Sequence, residues 1–305
     1  MGRLLVILSI SVMFWNVENF YDFKDDGTGE SDTEFSSAGA KHWTSRRFYR
    51  KCDAIAKTIL WTGAPPDIVA FAEVENRFVL RQLLARTVLR KLDYDIVHYE
   101  SPDIRGIDCA LLYRISRLEL VSSRPVRVDT AVLRTRDLLL AQFVSREGDS
   151  LAVIVNHHPS KLGGNETDWR RPLVIDRLKE ASDSLMGEGW GRILAVGDFN
   201  DTPDNPLFGR LTPALELCRR AGGERGSIRF NGQWELIDLA FCSPALAQSV
   251  AWTVLSPPFL TERDAAHSGE RPLRTYSGPR YLGGVSDHRP ILVTIRPERD
   301  IENRK

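Results

Sequence analysis

Short apolar segments that end abruptly in polar residues are the feature of this sequence that most constrains its fold. A run of about five apolar residues bounded by turn residues is typical of a buried strand. Six such runs occur in the 305 residues, and their polar endings are Asn16 and Glu18, Glu73, Asn156 and His157, Asp198 and Asn200, Asp238, and Asp287 and His288. One such ending is uninformative, but six that mix carboxylates, amides and imidazoles favour a single shared site.

The segment from Arg192 to Asp201 shows this pattern most clearly. Its apolar run reaches Val196 and stops at a glycine, after which Asp198 and Asn200 follow. Alternate residues of an extended chain point to the same side, so these two side chains should project together while Phe199 faces the opposite way. Taken alone, the segment is better explained as an Asp/Asn-rich turn without chemistry. Its repetition at the other strand ends favours the functional interpretation.

Composition excludes several other classes of protein. The chain is 42% hydrophobic and 27% charged, which is typical of a globular protein. Its 41 basic residues balance its 41 acidic residues, so any binding of a polyanion must be local. Cys109, Cys218 and Cys242 lie in apolar surroundings and are expected to be reduced core residues, although export would permit a disulfide. The sequence contains no P-loop, dinucleotide fingerprint or Gly-x-Ser-x-Gly elbow.

One domain is predicted over residues 11–298, followed by a polar tail over residues 299–305. Residues 1–10 are either a degenerate leader or the start of the first strand, and their apolar run is too short to span a bilayer. The location therefore stays open, with the cytoplasm favoured over export. We expect a monomer without an obligate protein partner.

Helices are predicted between the strands, because apolar residues there recur at spacings of three and four. The first helix begins after the N-cap candidate Thr44. Three more are predicted over Arg77 to Leu89, over Trp169 to Met186 and within Leu207 to Arg220. The helix from Trp169 to Met186 is predicted to be capped by Thr167 or Asp168. The dipeptide Asn231-Gly232 predicts the turn of a hairpin that reaches Phe241.

Oxygen ligands are prominent among the strand endings. Glu73, Asp287 and Asn16 would suit Mg²⁺ or Mn²⁺ better than zinc, although each is also explained as an ordinary strand terminus. Asp238 lies between apolar neighbours, where an unpaired charge is costly. A histidine is the natural partner for that aspartate.

Candidate substrate-binding residues lie after the strand that ends at His157 and in two predicted loops. His157 shares its strand exit with Asn156 and Lys161, a set suited to an anion, and at most one of the two adjacent histidines can face the site. Arg105 and Asp108 form either part of the site or a loop ion pair of little energetic value. Tyr276 lies in a predicted long loop, Thr261 to Gly284, which is either a substrate-shaping flap or a surface excursion. A basic rim is predicted from Arg105, Lys161, Arg170, Arg171, Arg274 and Arg280.

The order of these motifs resembles that of the endonuclease/exonuclease/phosphatase superfamily, which includes deoxyribonucleases, abasic-site endonucleases, inositol-polyphosphate phosphatases and neutral sphingomyelinases. The matching segments are Trp15–Asn19, Ala72–Val74, Asn156–His157, Gly197–Asn200, Ile237–Asp238 and Ser286–His288. Each motif is weak alone, but their order spans nearly the whole chain. The resemblance implies a four-layer α/β/β/α sandwich, in which two mixed β-sheets pack face to face with helices outside.

The resemblance also implies a divalent-metal-dependent phosphoesterase that hydrolyses P–O bonds by in-line attack of water. By motif position, it assigns metal binding to Glu73, Asn16 and Asp287, and catalysis to His157, Asp198, Asn200, Asp238 and His288. Asp198 and Asn200 would position the water, and His157 would contact the phosphate. Asp108 would orient that histidine. His288, paired with Asp238, would act either as general base or as phosphate clamp.

The substrate is less constrained than the reaction. We favour a nuclease-like phosphodiesterase acting on nucleic acid over a phosphatase or phosphodiesterase acting on inositol phosphates or lipid headgroups, as a sphingomyelinase does. A third alternative is a non-catalytic binding scaffold. The presence of every catalytic position argues against that alternative.

Overall fold

The computed structural model describes residues 9–27, 29–128, 131, 133–161, 168–222 and 225–297. The predicted polar tail and nearly all of the predicted leader lie outside these ranges. Within them, the helices are α1 Ser45–Leu60, α2 Arg77–Arg86 and α3 Arg170–Gly187. The strands are β1 Ile10–Phe20, β2 Ile68–Val74, β3 Tyr94–His98, β4 Asp108–Arg114, β5 Leu118–Val126, β6 Leu138–Ser145, β7 Ser150–His157, β8 Ile193–Asp198, β9 Glu216–Leu217, β10 Ile228–Phe230, β11 Gln233–Glu235, β12 Asp238–Cys242, β13 Val250–Val254, β14 Thr261–Arg263, β15 Glu270–Pro272, β16 Tyr276–Ser277, β17 Arg280–Tyr281 and β18 Ile291–Ile295. None of the described helices is both long enough and apolar enough to span a membrane.

Two six-stranded sheets carry the fold. The first sheet has the order β13-β18-β1-β2-β4-β3, and the second has the order β5-β6-β7-β8-β12-β9. Both are mixed, because β1 runs parallel to β2 and β7 runs parallel to β8, whereas their other pairings are antiparallel. The mixed sheets confirm the predicted architecture.

Alternating side chains explain how the layers stack. On β1, Val12 and Phe14 face a core that also contains Val155 and Val196 of the second sheet. Between them, Met13 and Trp15 face the opposite way, into a separate core that contains residues of α1 and α2. Helix α3 packs against the second sheet. Four layers result, with the two sheets inside.

The helix ends partly match the sequence. Thr44 caps α1 by accepting a hydrogen bond from the Arg47 N–H at 3.5 Å, and Asn76 caps α2 through the Val79 N–H at 3.1 Å. The cap predicted for α3 is wrong, because the N-cap is Trp169 and makes no side-chain hydrogen bond. The helix predicted within Leu207 to Arg220 is present only as a short 3-10 helix, Pro206–Leu211. Pro213 disfavours helical continuation there.

Two strands near the site have different bounds from those predicted. Strand β8 does not stop at Gly197 but continues to Asp198. The predicted hairpin ends earlier than expected, as β10 and β11 alone form it around Asn231-Gly232. Asp238 instead begins the separate strand β12, which is antiparallel to β8 and places Asp238 opposite Asp198. The predicted loop Thr261 to Gly284 contains two short two-stranded sheets, β14–β15 and β16–β17.

Candidate active site

A cleft of about 830 Å³ lies at the edge where β1 and β2 of one sheet meet β7 and β8 of the other. Ten of the residues predicted for the site line it: Asn16, Glu18, Glu73, Arg105, His157, Lys161, Asp198, Asn200, Asp287 and His288. Asp238 lies directly behind His288. Asp108, Asn156 and Tyr276 do not line the cleft.

Asp198 lies at the centre of the hydrogen-bond network. Its Oδ2 accepts a hydrogen bond from Asn16 Nδ2 at 3.1 Å, and its Oδ1 accepts one from the backbone N–H of Asn200 at 2.9 Å. The Nε2 atoms of His157 and His288 lie 3.8 and 3.7 Å from Oδ2. Burial, together with the nearby Asp238 carboxylate, raises the pKa of Asp198 to about 7, against the lowering effect of His288. The carboxyl group therefore titrates near neutral pH.

His288 has the buried aspartate partner that the sequence predicts. Its Nδ1 lies 2.8 Å from Asp238 Oδ2, so the expected Asp–His pairing is confirmed. Burial alone would disfavour the imidazolium, but Asp238 and Asp198 outweigh it and raise the pKa of His288 well above its ordinary value. The backbone N–H of His288 donates to Ser286 Oγ, and its carbonyl accepts from Trp15 Nε1. The bond from Trp15 attaches the segment that precedes β18 to β1.

The adjacent histidines face opposite sides, as strand alternation predicts. His157 lines the cleft, with its Nε2 3.9 Å from Glu73 Oε1, whereas the His158 ring packs on Phe199 with a centroid separation of 4.7 Å. Burial, aided by nearby Arg136, lowers the pKa of His157 well below its ordinary value. The two histidines that line the cleft, His157 and His288, are thus shifted in opposite directions.

Glu73 is held as an anion in a strained backbone conformation. Its φ is +63°, and its Oε2 accepts hydrogen bonds from the Asn19 N–H at 2.7 Å and from Arg105 Nη2 at 3.2 Å. Burial alone would raise the pKa of Glu73, but the Arg105 guanidinium and the Asn19 N–H outweigh it, so the pKa is lowered. Such a carboxylate is suited to a divalent cation.

The predicted metal ligands supply only oxygen atoms. Glu73 and Asp287 present carboxylates to the cleft, and Asn16 presents an amide whose Oδ1 accepts the Glu18 N–H at 3.0 Å and keeps a second lone pair. This donor set fits a hard cation. A second group of potential ligand atoms lies within 4.8 Å of one another on Asp198, Asp238 and His288. Two of these residues, Asp238 and His288, are already hydrogen-bonded to each other.

Three residues predicted to bind substrate lie elsewhere. Asn156 is buried and donates to the Ile154 carbonyl at 2.9 Å, because it precedes His157 on the strand and faces the opposite side. Asp108 accepts from the Ser101 N–H and pairs with His98 Nε2 at 3.0 Å, so it does not orient His157. His98 lies on the neighbouring strand, which makes it the nearer partner.

Tyr276 is the third of these corrections. Its hydroxyl donates to the Lys41 carbonyl at 2.8 Å, and its ring packs on Phe35 and Trp43. It borders a separate cavity of about 160 Å³ beside the cleft. The side chain packs into the core because several aromatic residues surround it in the folded protein.

The predicted basic rim is partly present. Arg105, Lys161, Arg170 and Arg274 line the cleft, but Arg171 is buried and pairs with Asp201 at 2.7 Å, and Arg280 lies outside it on β17. Sequence reasoning included Asn19 in a motif without giving it a role, and it missed Arg136. Arg136 donates to the carbonyls of both His157 and His158 at 3.1 and 2.9 Å. No sequence signal identifies Arg136, whereas Asn19 directly follows the polar strand ending Glu18.

Comparisons with known proteins agree with this geometry. The model of the Endonuclease/Exonuclease/phosphatase family matches residues 11–297. Nocturnin from Mus musculus is 24% identical over 210 residues, which cover 65% of this chain and 45% of nocturnin. Nocturnin from Homo sapiens is also 24% identical over 210 residues, with coverages of 65% and 44%. The chain thus spans less than half the length of these relatives.

Solved structures share the fold at lower identity. The human Nocturnin catalytic domain with bound sulfate anion has a TM-score of 0.60 and 19% identity, covering 94% of this chain and 93% of that one. Truncated Caenorhabditis elegans TDP2 has a TM-score of 0.62 and 16% identity, covering 95% and 98%. Because the family model matches nearly the whole described domain, the chain belongs to the endonuclease/exonuclease/phosphatase family.

Proposed function

We propose that the protein is a nuclease-type phosphodiesterase that uses Mg²⁺ or Mn²⁺ and cleaves a P–O bond by in-line attack of water. One observation carries the proposal. The water-positioning candidates Asp198 and Asn200 share a cleft with the buried Asp238–His288 pair and with the carboxylate of Glu73. This combination provides a base, a cation and a metal-binding group within one cavity.

Asp198 is the proposed acceptor of the proton from water. A general base works best when its pKa lies near the working pH, and the pKa of Asp198 is raised to about 7. Asn200 donates from Nδ2 to the His158 carbonyl at 2.9 Å, which fixes its amide and leaves Oδ1 to accept a hydrogen bond from the water. The two side chains thereby orient the attacking oxygen.

His288 is proposed to act as a cationic phosphate clamp rather than as the base. The raised pKa of His288 favours the imidazolium, whose Nδ1 proton is donated to Asp238. Its Nε2 proton is then available to a phosphoryl oxygen. A bound divalent cation would be held by Glu73, Asp287 and Asn16, and it would neutralise charge that develops on the phosphoryl and leaving oxygens.

Nucleic acid is the proposed substrate because the cleft combines cationic and apolar surfaces. Arg105, Lys161 and Arg170 line it together with the apolar side chains of Leu133 and Phe230. Cationic groups contact phosphates, and apolar surfaces suit the sugars and bases beside them. The human Nocturnin domain of similar fold binds a sulfate anion, which also supports an anionic ligand.

A substrate panel tests the proposal. Supercoiled plasmid, abasic oligonucleotide, RNA, inositol phosphates and sphingomyelin are incubated with the protein in Mg²⁺ and in EDTA. We expect hydrolysis of nucleic acid that EDTA abolishes. Asp198→Ala should lose this activity while keeping the wild-type circular dichroism spectrum, and Asp183→Ala, on the exposed face of α3, is the matched control.

Other outcomes would change the assignment in defined ways. Turnover of inositol phosphates or sphingomyelin alone would reject nucleic acid as the substrate. Wild-type turnover of bis-p-nitrophenyl phosphate by Asp198→Ala would reject Asp198 as the base. A folded wild-type protein that hydrolyses nothing in the panel would favour a binding scaffold.

A further inference from the structure

Two consecutive residues at the end of β1 adopt an unusual backbone conformation. Glu18 and Asn19 have φ values of +47° and +53°. This left-handed region is costly for residues other than glycine, although asparagine tolerates it best. Among the described residues, four of the seven non-glycine positions with positive φ border the cleft, namely Glu18, Asn19, Glu73 and Asn200. The conformation therefore accompanies the site.

Asn19 contacts an arginine on one side of the cleft. Its Oδ1 accepts a hydrogen bond from Arg105 Nη2 at 2.7 Å. Arg105 lies in the loop between β3 and β4, and its carbonyl accepts the Tyr21 hydroxyl at 2.7 Å. The guanidinium of Arg105 is thus attached to the end of β1, and its backbone is attached to the residue that follows β1.

Glu18 contacts an arginine from a different loop. Its Oε1 accepts hydrogen bonds from Arg274 Nε at 3.0 Å, and its Oε2 accepts the Thr275 N–H at 2.9 Å. Below this pair, the buried Lys51 donates to the Glu18 carbonyl and, at 2.9 Å, to Thr275 Oγ1. The loop that precedes Asp287 is thereby fixed to β1.

The two adjacent side chains therefore contact two arginines from distant parts of the sequence. The guanidinium-bearing side chains of Arg105 and Arg274 remain 40% and 49% exposed, and both line the cleft. Arg105 lies 3.2 Å from Glu73, and Arg274 lies 3.0 Å from Asp287, so they flank the proposed metal ligands. Each guanidinium has five N–H donors, more than these contacts use.

We propose that Glu18 and Asn19 are positioning residues that hold Arg274 and Arg105 against two sides of the substrate phosphoryl group. The inference rests on the proposed function, because it requires a phosphoester in this cleft. Arginine binds phosphate oxygens bidentately, and fixing its long side chain in advance lowers the entropy cost of doing so. The strained turn lets one short segment hold both cations.

Variants can remove each contact with little change in shape. Glu18→Gln is isosteric and removes the ion pair with Arg274. Asn19→Gly removes the contact with Arg105, and glycine adopts the left-handed conformation freely. Glu262→Gln is the matched control, since Glu262 pairs with Arg271 at 2.8 Å in the same part of the chain but lies outside the cleft.

Binding of inorganic phosphate, measured by ³¹P NMR titration in Mg²⁺, gives a readout that needs no turnover. Arg274→Ala and Arg105→Ala should each weaken binding about tenfold or more, as expected for a lost charge-assisted hydrogen bond. Glu18→Gln should weaken it about fivefold in the wild type but less than twofold in Arg274→Ala. Asn19→Gly should likewise weaken phosphate binding about fivefold in the wild type but less than twofold in Arg105→Ala.

The double-mutant results separate positioning from a general structural role. If Glu18→Gln and Arg274→Ala are additive, or if Glu18→Gln binds phosphate like the wild type, the inference is wrong. If the couplings appear but no phosphoester is hydrolysed, the proposed function fails instead. Hydrolysis of nucleic acid without either coupling would leave the proposed function standing and reject the positioning role.

Discussion

At the scale of single residues, the two histidines of the cleft have pKa values that are shifted in opposite directions. The pKa of His288 is raised by the buried aspartate it contacts, whereas burial, reinforced by nearby arginines, lowers the pKa of His157. The buried-charge argument predicts the Asp238–His288 pair from sequence, because an aspartate among apolar residues must find a partner. It does not predict that Asp108 pairs with His98, since that choice depends on distances across neighbouring strands.

Asp238→Asn should lower activity while leaving the cleft in place. The amide can still contact His288 Nδ1, but it supplies no charge to favour the imidazolium. We expect kcat/KM to fall about 100-fold or more, as for the loss of one proton-transfer or charge-stabilising group. Steady-state kinetics with a nucleic-acid substrate measures the change, and Asp183→Asn is the control. An unchanged kcat/KM would contradict the proposed role of the pair.

Asp137 gives a prediction for stability rather than activity. Burial raises the pKa of Asp137 to about 6 in the folded protein, above its ordinary value of 3.8. A raised folded pKa means that the stability associated with the neutral acid is lost as pH rises through about 6. Asp137→Asn should therefore raise the melting temperature at pH 8 and change it little at pH 4. A constant difference across this range would reject the linkage.

At the scale of elements, the close approach of β7 and β8 places the two site strands in contact. Gly197 lies beside Asn156, and a Cβ atom at position 197 would lie 2.2 Å from the Asn156 carbonyl oxygen. The sequence suggests a strand ending at this glycine, but its function is close packing within the strand. Alternation correctly predicts that Asp198 faces the cleft. It also requires that Asn156 and His157 face opposite sides, although both were assigned to the site.

Gly197→Ala should disturb both strands. Because the clash is with backbone, the strands must separate, and we expect a loss of about 1–3 kcal/mol in the free energy of unfolding. Activity should fall at least tenfold, since His157 and Asp198 are the next residues along. Urea unfolding and kinetics measure the two effects. Gly191→Ala is the control, because a Cβ atom there meets nothing within 4 Å.

At the scale of the whole molecule, the site exists only when both sheets are docked. Asn16 and Glu73 come from one sheet, whereas His157 and Asp198 come from the other. The family resemblance predicts the four layers, and the apolar runs predict most strand ends because they identify buried strands directly. It does not identify Arg136, whose contacts with both histidine carbonyls require the assembled sandwich.

Divalent cations should stabilise the folded protein through the cleft. A ligand that binds only the folded state at 100 times its dissociation constant adds about 2.7 kcal/mol to the free energy of unfolding. We expect Mg²⁺ or Mn²⁺ to raise the melting temperature, and EDTA to reverse the rise. Glu73→Gln should remove most of the effect, measured by scanning calorimetry.

A rise that persists in Glu73→Gln would place the cation elsewhere. Two other groups of potential ligand atoms are present in the described chain, one at His98, Glu100 and Asp108 and one at Asp26, Asp32 and Glu75. Asp108→Asn and Asp26→Asn would then distinguish them. A melting temperature insensitive to both cations would reject the predicted metal site.

The pairing of β1 with β18 has a consequence for how this domain can be combined with others. Ile10 lies opposite Ile295, so the two ends of the domain are neighbours. Both lie roughly 20 Å from Asn16, since six residues of strand separate Ile10 from the cleft at about 3.3 Å each. Modules joined close to Ile10 or Ile295 would therefore begin well away from the cleft. A short linker between the ends would likewise permit circular permutation.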